Sequence, residues 1–327
     1  MPRILHSVFL FPREFMRKQP AFCALLCALI VAPVARAQAP AAPPPVTGPG
    51  AAELRGKLGR ELNQMVAQFD GVMAMAFKDL ESGDVIAIHG DMVLPQASSI
   101  KIAVLVEVLR QAQAGKLRLE ERVEIRKAQF TGGSGVLQDF GDGTSAVSLR
   151  DLAALMMAVS DNTATNLLID RVGQARVNET LQSLGFEKTR LMRRMIQPEE
   201  ERRGVENVST AREIASLLEQ LYRGKLLDER HTALALELMK NEKNEPTPMG
   251  RGLPAGVALA SKPGSLPGVR CESGIVLLEG RPYVLSVMTT YAADDGAAEG
   301  AIMEVSRRVH SYVERLAHSN VHGVRLP

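Results

Sequence analysis

The sequence has no tryptophan, and only 4 tyrosines and 9 phenylalanines in 327 residues. Any sizeable core must therefore be aliphatic, built from Leu, Val, Ala and Met. Cysteine is nearly absent as well: Cys23, Cys27 and Cys271 are the whole set. The first two lie in an N-terminal apolar run, so the folded part keeps one thiol, can form no internal disulfide and must be held by packing. We read Cys271 as structural, with a place near the functional site as the alternative. Charge of neither sign is in excess: the formal net charge is +2, and no basic block is long enough to mark a nucleic-acid surface. There is no internal repeat.

The N-terminus carries export features instead. Arg13, Arg17 and Lys18 precede an apolar run from Ala21 to Ala35, and Ala35-Arg36-Ala37 fits a small-x-small cleavage site. The run contains Pro33 and is short for a membrane span. Neither Cys23 nor Cys27 follows a small residue, which argues against a lipoprotein site. We expect a signal peptide over residues 1–37 and a periplasmic or secreted protein, with an uncleaved anchor as the alternative. Its removal takes away Arg3, Arg13, Arg17, Lys18 and Arg36 and one acid, Glu14, and shifts the net charge from +2 to −2. Residues 38–51 are rich in Ala, Pro and Gly and read as an extended linker. Residues 52–327 are left for the folded domain.

Within that domain, a helix is expected over about Glu53–Phe69, then a hairpin of Val72–Lys78 and Val85–His89. An apolar run from Ile102 to Leu109 reads as a helix buried nearly all round. The middle of the chain is helical, with a capping box at Ser148-Leu149-Arg150-Asp151 and a cap at Thr210. Met192–Val208 has no helical period and reads as too polar for the core. Strands return at Val257–Lys262, Ile275–Leu278 and Tyr283–Thr290, followed by an amphipathic helix through Ile302 to Leu316. Strands at both ends around a helical insert predict an α+β fold: an antiparallel sheet flanked by helices, about 52–97 and 253–317, plus an all-helical part, about 98–252.

Three short motifs fall on fitting elements. Ser98 and Lys101 open the buried helix, three residues apart and so on one face. A serine needs an adjacent base to act as a nucleophile, and a lysine against an apolar wall can serve. Ser160-Asp161-Asn162 follows the capped helix, 62 residues after Ser98, and Lys262-Pro263-Gly264-Ser265 ends a strand 102 residues after Ser160. Each has a bland reading: a helix-capping serine with a solvated lysine, and a turn. In this order, however, Ser-x-x-Lys, Ser-Asp-Asn and a relative of Lys-Thr-Gly resemble class A β-lactamases and penicillin-binding proteins. The Gly133–Leu137 stretch, Ser160–Ile169 and the Ser265–Arg270 turn resemble that superfamily too, and the resemblance spans roughly Glu53 to Leu316.

The resemblance implies a five-stranded antiparallel sheet and an exported serine hydrolase that opens β-lactam amides through an acyl-enzyme on Ser98. By that resemblance Lys101 accepts the serine proton and Ser160 passes a proton to the leaving nitrogen. Asn162 bonds Lys101 and the substrate amide. The backbone N–H groups of Ser98 and Ser265 hold the oxyanion, and Lys262 beside Gly264 attracts a substrate carboxylate. It further implies a small β-lactam or a peptidoglycan stem peptide as partner, a monomer, and no cofactor or metal.

Two departures stand out. Pro263 replaces the threonine of Lys-Thr-Gly, so Ser265 or Arg270 is expected to take the carboxylate. A proline is tolerated in a strand at an edge, which fits a strand bordering a site. The family's omega-loop glutamate, which activates the deacylating water, is replaced by Met195. Among Glu199, Glu200 and Glu201 we expect Glu199, after Pro198, to supply the base, against the plainer reading of a solvated charge run. These departures keep open a penicillin-binding peptidase or transpeptidase with slow deacylation. A non-catalytic wall-binding domain is the third reading. His318 and His322 lie in a tail where metal binding is a poor bet, and His89 and His231 read as structural.

Overall fold

The computed structural model describes residues 48–240, 243 and 246–326. The expected signal peptide and residues 38–47 of the linker lie outside these. Helix α1 (Pro49–Gln68) starts ahead of the expected Glu53, so Pro49, Gly50 and Ala51, placed with the linker by composition, are helical. Proline fits the first helical turn, where its missing N–H has no intrahelical bond to lose.

Strands β1 (Val72–Asp79) and β2 (Val85–Ile88) form the expected hairpin. Asp79 closes its turn by accepting from the backbone N–H groups of Glu81 and Ser82, and pairs with Arg281 at 2.8 Å. The short β3 (Leu94–Pro95) leads into a 3₁₀ turn, Ala97–Ile100, and then helix α2 (Lys101–Gln113). Strands β4 (Arg122–Ile125) and β5 (Ser145–Ser148) make a small ladder. Helix α3 (Leu149–Ala158) follows, capped by Ser148 as the capping box predicts. Then come α4 (Asn162–Val172), α5 (Gln174–Ser183), α6 (Pro198–Arg202), β6 (Val208–Ser209), α7 (Ala211–Tyr222), α8 (Glu229–Lys240) and α9 (Pro248–Arg251). Every residue of α2 from Lys101 to Leu109 is buried, because α3, α4, α5 and α8 pack around it. An apolar run without a polar face has no other stable setting.

The chain ends with β7 (Leu259–Leu266), β8 (Val269–Val276), β9 (Tyr283–Thr290) and α10 (Asp295–Ala317). Five strands form one antiparallel sheet in the order β2-β1-β9-β8-β7. Both faces are covered. Met73, Met75 and Phe77 of β1 face α1 and α10, while Ala74 and Ala76 belong to the core shared with the helical part. The few aromatics gather on the first face, where Phe77 meets Tyr283 and Tyr312 edge-on at 5.8 and 6.0 Å.

The structure corrects two expectations here. Residues 265–270 are no long turn: β7 runs to Leu266, β8 begins at Val269, and only Pro267-Gly268 turns. The Met192–Val208 stretch contains α6 and also contributes to the interior, with Arg193, Met195 and Asn207 buried.

Candidate active site

Ala97 is left-handed (φ +44°), a conformation that costs an L-residue about 1–2 kcal/mol. The chain reverses there and presents Ser98, half-buried, from the 3₁₀ turn ahead of α2. Lys101, the first residue of α2, is fully buried. Its Nζ donates to the Ser160 carbonyl at 2.7 Å, the Ser160 hydroxyl at 3.0 Å and Asn162 Oδ1 at 2.9 Å. Two of the three motifs are thereby joined through one lysine nitrogen. Ser160 is left-handed too (φ +53°), and such strain persists where surrounding contacts impose it.

Asp161 plays a different part from its neighbours. It caps α4 by accepting from Ala164 N at 2.8 Å, and its other oxygen accepts from Val136 and Leu137 N at 2.7 and 2.9 Å. That carboxylate straps residues 133–137 onto α4. A side chain at Gly135 would lie 2.3 Å from the Asp161 carboxyl carbon, so the position requires glycine. Asn162 completes the strap: its N donates to Ser134 O at 3.0 Å and its Nδ2 to Gly132 O at 2.9 Å.

The third motif lies on the sheet edge. Strand β7 is one of the two edge strands, a position a proline at 263 can occupy. Lys262 is fully buried, and its carbonyl accepts from the Ser99 hydroxyl at 2.6 Å. Gly264 packs so tightly on the Ser98 turn that a Cβ would lie 2.7 Å from Gln96 O and 3.0 Å from Ser98 N. Ser265, next on the strand, is exposed. Behind the strand, Glu272 is buried and accepts from Ser261, Thr247 and Met249 N; burial pushes its carboxyl above the usual range.

The structure therefore brings Lys101, Ser160 and Asn162 into one hydrogen-bonded group, with Ser98 on the adjoining turn and Lys262 and Gly264 on the strand against it. It does not bring in Glu199. That side chain is 83% exposed and pairs with Arg202 at 2.5 Å, within the same short helix. Glu200 pairs with Arg203 at 3.0 Å, and Glu201 with the buried Arg193 at 3.2 Å. Met195 is 6% exposed, and Asn166 grips its backbone from both sides: Met195 N donates to Asn166 Oδ1 at 2.8 Å, and Asn166 Nδ2 donates to Met195 O at 3.1 Å. Arg270 is likewise committed elsewhere, to Asp295 at 2.8 Å and Glu299 at 3.2 Å.

Sequence reasoning missed Ser99 and Asn166, and for Cys271 it left a place near the site as the alternative to a purely structural role. A serine next to the nucleophile and an asparagine within a helix carry no local signal. Only their distant partners, Lys262, Met195 and Gln96, give them roles. His89 and His231 have local partners, Met73 O at 2.9 Å and Asp228 at 2.8 Å.

Comparison with known proteins agrees with this geometry. Residues 57–313 match a family described as the beta-lactamase enzyme family. Beta-lactamase CARB-3 of Pseudomonas aeruginosa is 29% identical over 215 residues, covering 64% of this chain and 73% of that protein. A solved β-lactamase from Sphaerobacter thermophilus is 30% identical with a TM-score of 0.72, covering 79% of this chain and 97% of that one. PBP-A is 29% identical with a TM-score of 0.73, covering 79% and 96%. A point variant of PBP-A, described as an acyl-enzyme complex with penicillin G, is 30% identical with a TM-score of 0.71, covering 79% and 97%.

Proposed function

The chain belongs to the beta-lactamase enzyme family, and from that premise we propose that it is acylated at Ser98 by β-lactams or related stem peptides and releases the acyl group slowly. Hydrolysis through a nucleophilic serine is the family's chemistry. The finer choice, a long-lived acyl-enzyme of the penicillin-binding kind, rests on one observation: an apolar, buried Met195 stands where the family carries its deacylating base, while Glu199 faces solvent.

In the proposed reaction Ser98 Oγ attacks the amide carbonyl and its proton passes to Lys101, directly or through the Ser160 hydroxyl beside Lys101 Nζ. The carbonyl electrons move onto oxygen, where the backbone N–H groups of Ser98 and Ser265 stabilise the oxyanion. Collapse breaks the C–N bond, and the nitrogen leaves with a proton delivered by Ser160, which takes its replacement from the protonated Lys101 and so returns the lysine to its neutral form. Lys262 adds positive charge beside the substrate carboxylate. Release then needs a base next to a water at the ester carbon, and no acid of residues 199–201 supplies it.

Turnover as a β-lactamase is the second reading, supported by relatives such as CARB-3 that bear that name. The non-catalytic reading has less support, because a binding domain has no use for Lys101 joined to both Ser160 and Asn162. We also propose export, on the strength of the N-terminal basic and apolar pattern. The test is intact-mass spectrometry after brief exposure to a penicillin, followed over time. An adduct that is absent in Ser98→Ala and decays slowly supports the proposal. An adduct that clears at once supports the second reading, and no adduct with any β-lactam or acyl-D-Ala-D-Ala peptide overturns both.

A further inference from the structure

Two hydrogen bonds outside the catalytic group tie the nucleophile turn to the sheet edge. The Ser99 hydroxyl donates to Lys262 O at 2.6 Å, from the turn to β7. The Cys271 thiol donates to Gln96 O at 3.0 Å, from β8 back to the turn. Cys271 also lies 3.6 Å from Ser99 Oγ and 3.7 Å from Gly264 O, so the two bonds belong to one knot. All the side chains concerned are buried. The register pairs Gly264 with Cys271 and Ser265 with Arg270.

We propose that Cys271 and Ser99 are positioning residues that set the gap between the two oxyanion donors, the backbone N–H groups of Ser98 and Ser265. The proposal rests on the acyl-enzyme reading above. Ser98 lies between the two anchored residues of the turn, Gln96 and Ser99. Ser265 follows Gly264, where a Cβ would lie 3.0 Å from Ser98 N and 2.7 Å from Cys271 Sγ. The two donors thus sit on separate elements whose spacing is fixed by the knot and by glycine at 264. Oxyanion donors work only when aimed at the position the charge will occupy, and a misplacement of about 1 Å costs on the order of 100-fold. A thiol suits this place because it is compact and stays a donor: burial pushes Cys271 up to about 11, so the proton remains on sulfur through the neutral range.

The experiment measures acylation by a chromogenic cephalosporin in the parent, Cys271→Ala, Cys271→Ser and Ser99→Ala. Cys271→Ala is expected to lower the limiting acylation rate ~10- to 100-fold, with the concentration for half-saturation unchanged. Cys271→Ser, which keeps a donor, is expected to stay within about threefold of the parent. Affinity for a phenylboronic acid, whose adduct places an oxygen between the same donors, should fall in step with the rate. Parent-like acylation in Cys271→Ala overturns the proposal. So does a Cys271→Ser variant that is stable but as slow as Cys271→Ala, since the thiol would then matter only as filling. Should Cys271→Ala fail to fold, Ser99→Ala cuts the other bond and is expected to show the same split; parent-like kinetics there overturn the proposal. Infrared spectroscopy of the S–H stretch separates this inference from the functional reading. A band displaced to low frequency in Ser98→Ala shows the thiol bond in a protein that cannot be acylated. A parent that forms no adduct refutes the reading, and an undisplaced band refutes the knot.

Discussion

Lys101 Nζ reaches the Ser160 carbonyl at 2.7 Å and the Ser160 hydroxyl at 3.0 Å, across 59 residues of chain. The two residues thus form one hydrogen-bonded unit, which the proposed acylation uses to move protons. Replacing either by alanine is expected to lower the acylation rate at least ~100-fold, the lower end for a positioned acid–base group. The double variant should be little worse than the poorer single one, because residues acting as a unit fail together. Stopped-flow acylation with a chromogenic cephalosporin reads both quantities. A Lys101→Ala protein that acylates at the parent rate would remove the lysine from the mechanism.

Asp161 is expected to report on stability rather than on chemistry. One carboxylate serves the backbone N–H groups of Val136, Leu137 and Ala164. Hydrogen bonds to a charged group contribute about 1.5–3 kcal/mol each, and buried donors left unpaired add to the loss. Asp161→Ala should therefore lower the unfolding free energy by at least ~3 kcal/mol, measured by urea denaturation. An unchanged midpoint would mean that the 133–137 segment is held by other contacts.

What could be read from the sequence divides along physical lines. The capping residues Ser148 and Thr210, the hairpin at β1–β2 and the buried helix α2 depend on neighbours in sequence, and they stand as expected. Most of β8 was hidden because Arg270-Cys271-Glu272-Ser273-Gly274 has neither alternation nor branched residues. That segment is a strand because β7 and β9 pair with it on both sides. The grouping of Ser98, Lys101, Ser160, Asn162 and Lys262 could be anticipated from motif order. Glu199 and Arg270 were placed by proximity in sequence, and each has a charged partner nearer than the site: Arg202 for the one, Asp295 and Glu299 for the other.

His310 makes stability depend on pH. It lies buried on α10, with Nδ1 at 3.3 Å from the Tyr283 hydroxyl, and burial holds its pKa below the usual 6.5 against the opposing pull of Glu314. The unfolded chain takes up its proton near 6.5, whereas the folded one does so only at lower pH. The stability contribution is thus full above the unfolded value and is lost as pH falls from there toward the folded one. Urea midpoints at pH 7.5 and 5.5 should differ in the parent by more than in His310→Leu. Equal differences would clear His310 of any part in the acid sensitivity.

The last prediction concerns release of the acyl group. Met195 cannot accept a proton, and its backbone is pinned by Asn166 on α4. A cleft of about 350 Å³ opens beside it, lined by Phe130, Thr131, Asn166, Met195 and Ile196 among others. A carboxylate introduced there would have room for water and a fixed backbone beneath it. Met195→Glu is therefore expected to acylate near the parent rate and to deacylate at least ~100-fold faster, as a positioned general base allows. Glu199→Gln is expected to release no more slowly than the parent, since Glu199 already spends its charge on Arg202 in solvent. Pre-steady-state kinetics with a chromogenic cephalosporin separates the burst from the turnover that follows. In the parent the burst should dominate; in Met195→Glu a steady rate should replace it. If Glu199→Gln instead traps the acyl-enzyme of a rapidly turning-over parent, then α6 rearranges to bring that acid to the ester. The enzyme would then be a β-lactamase with a displaced base.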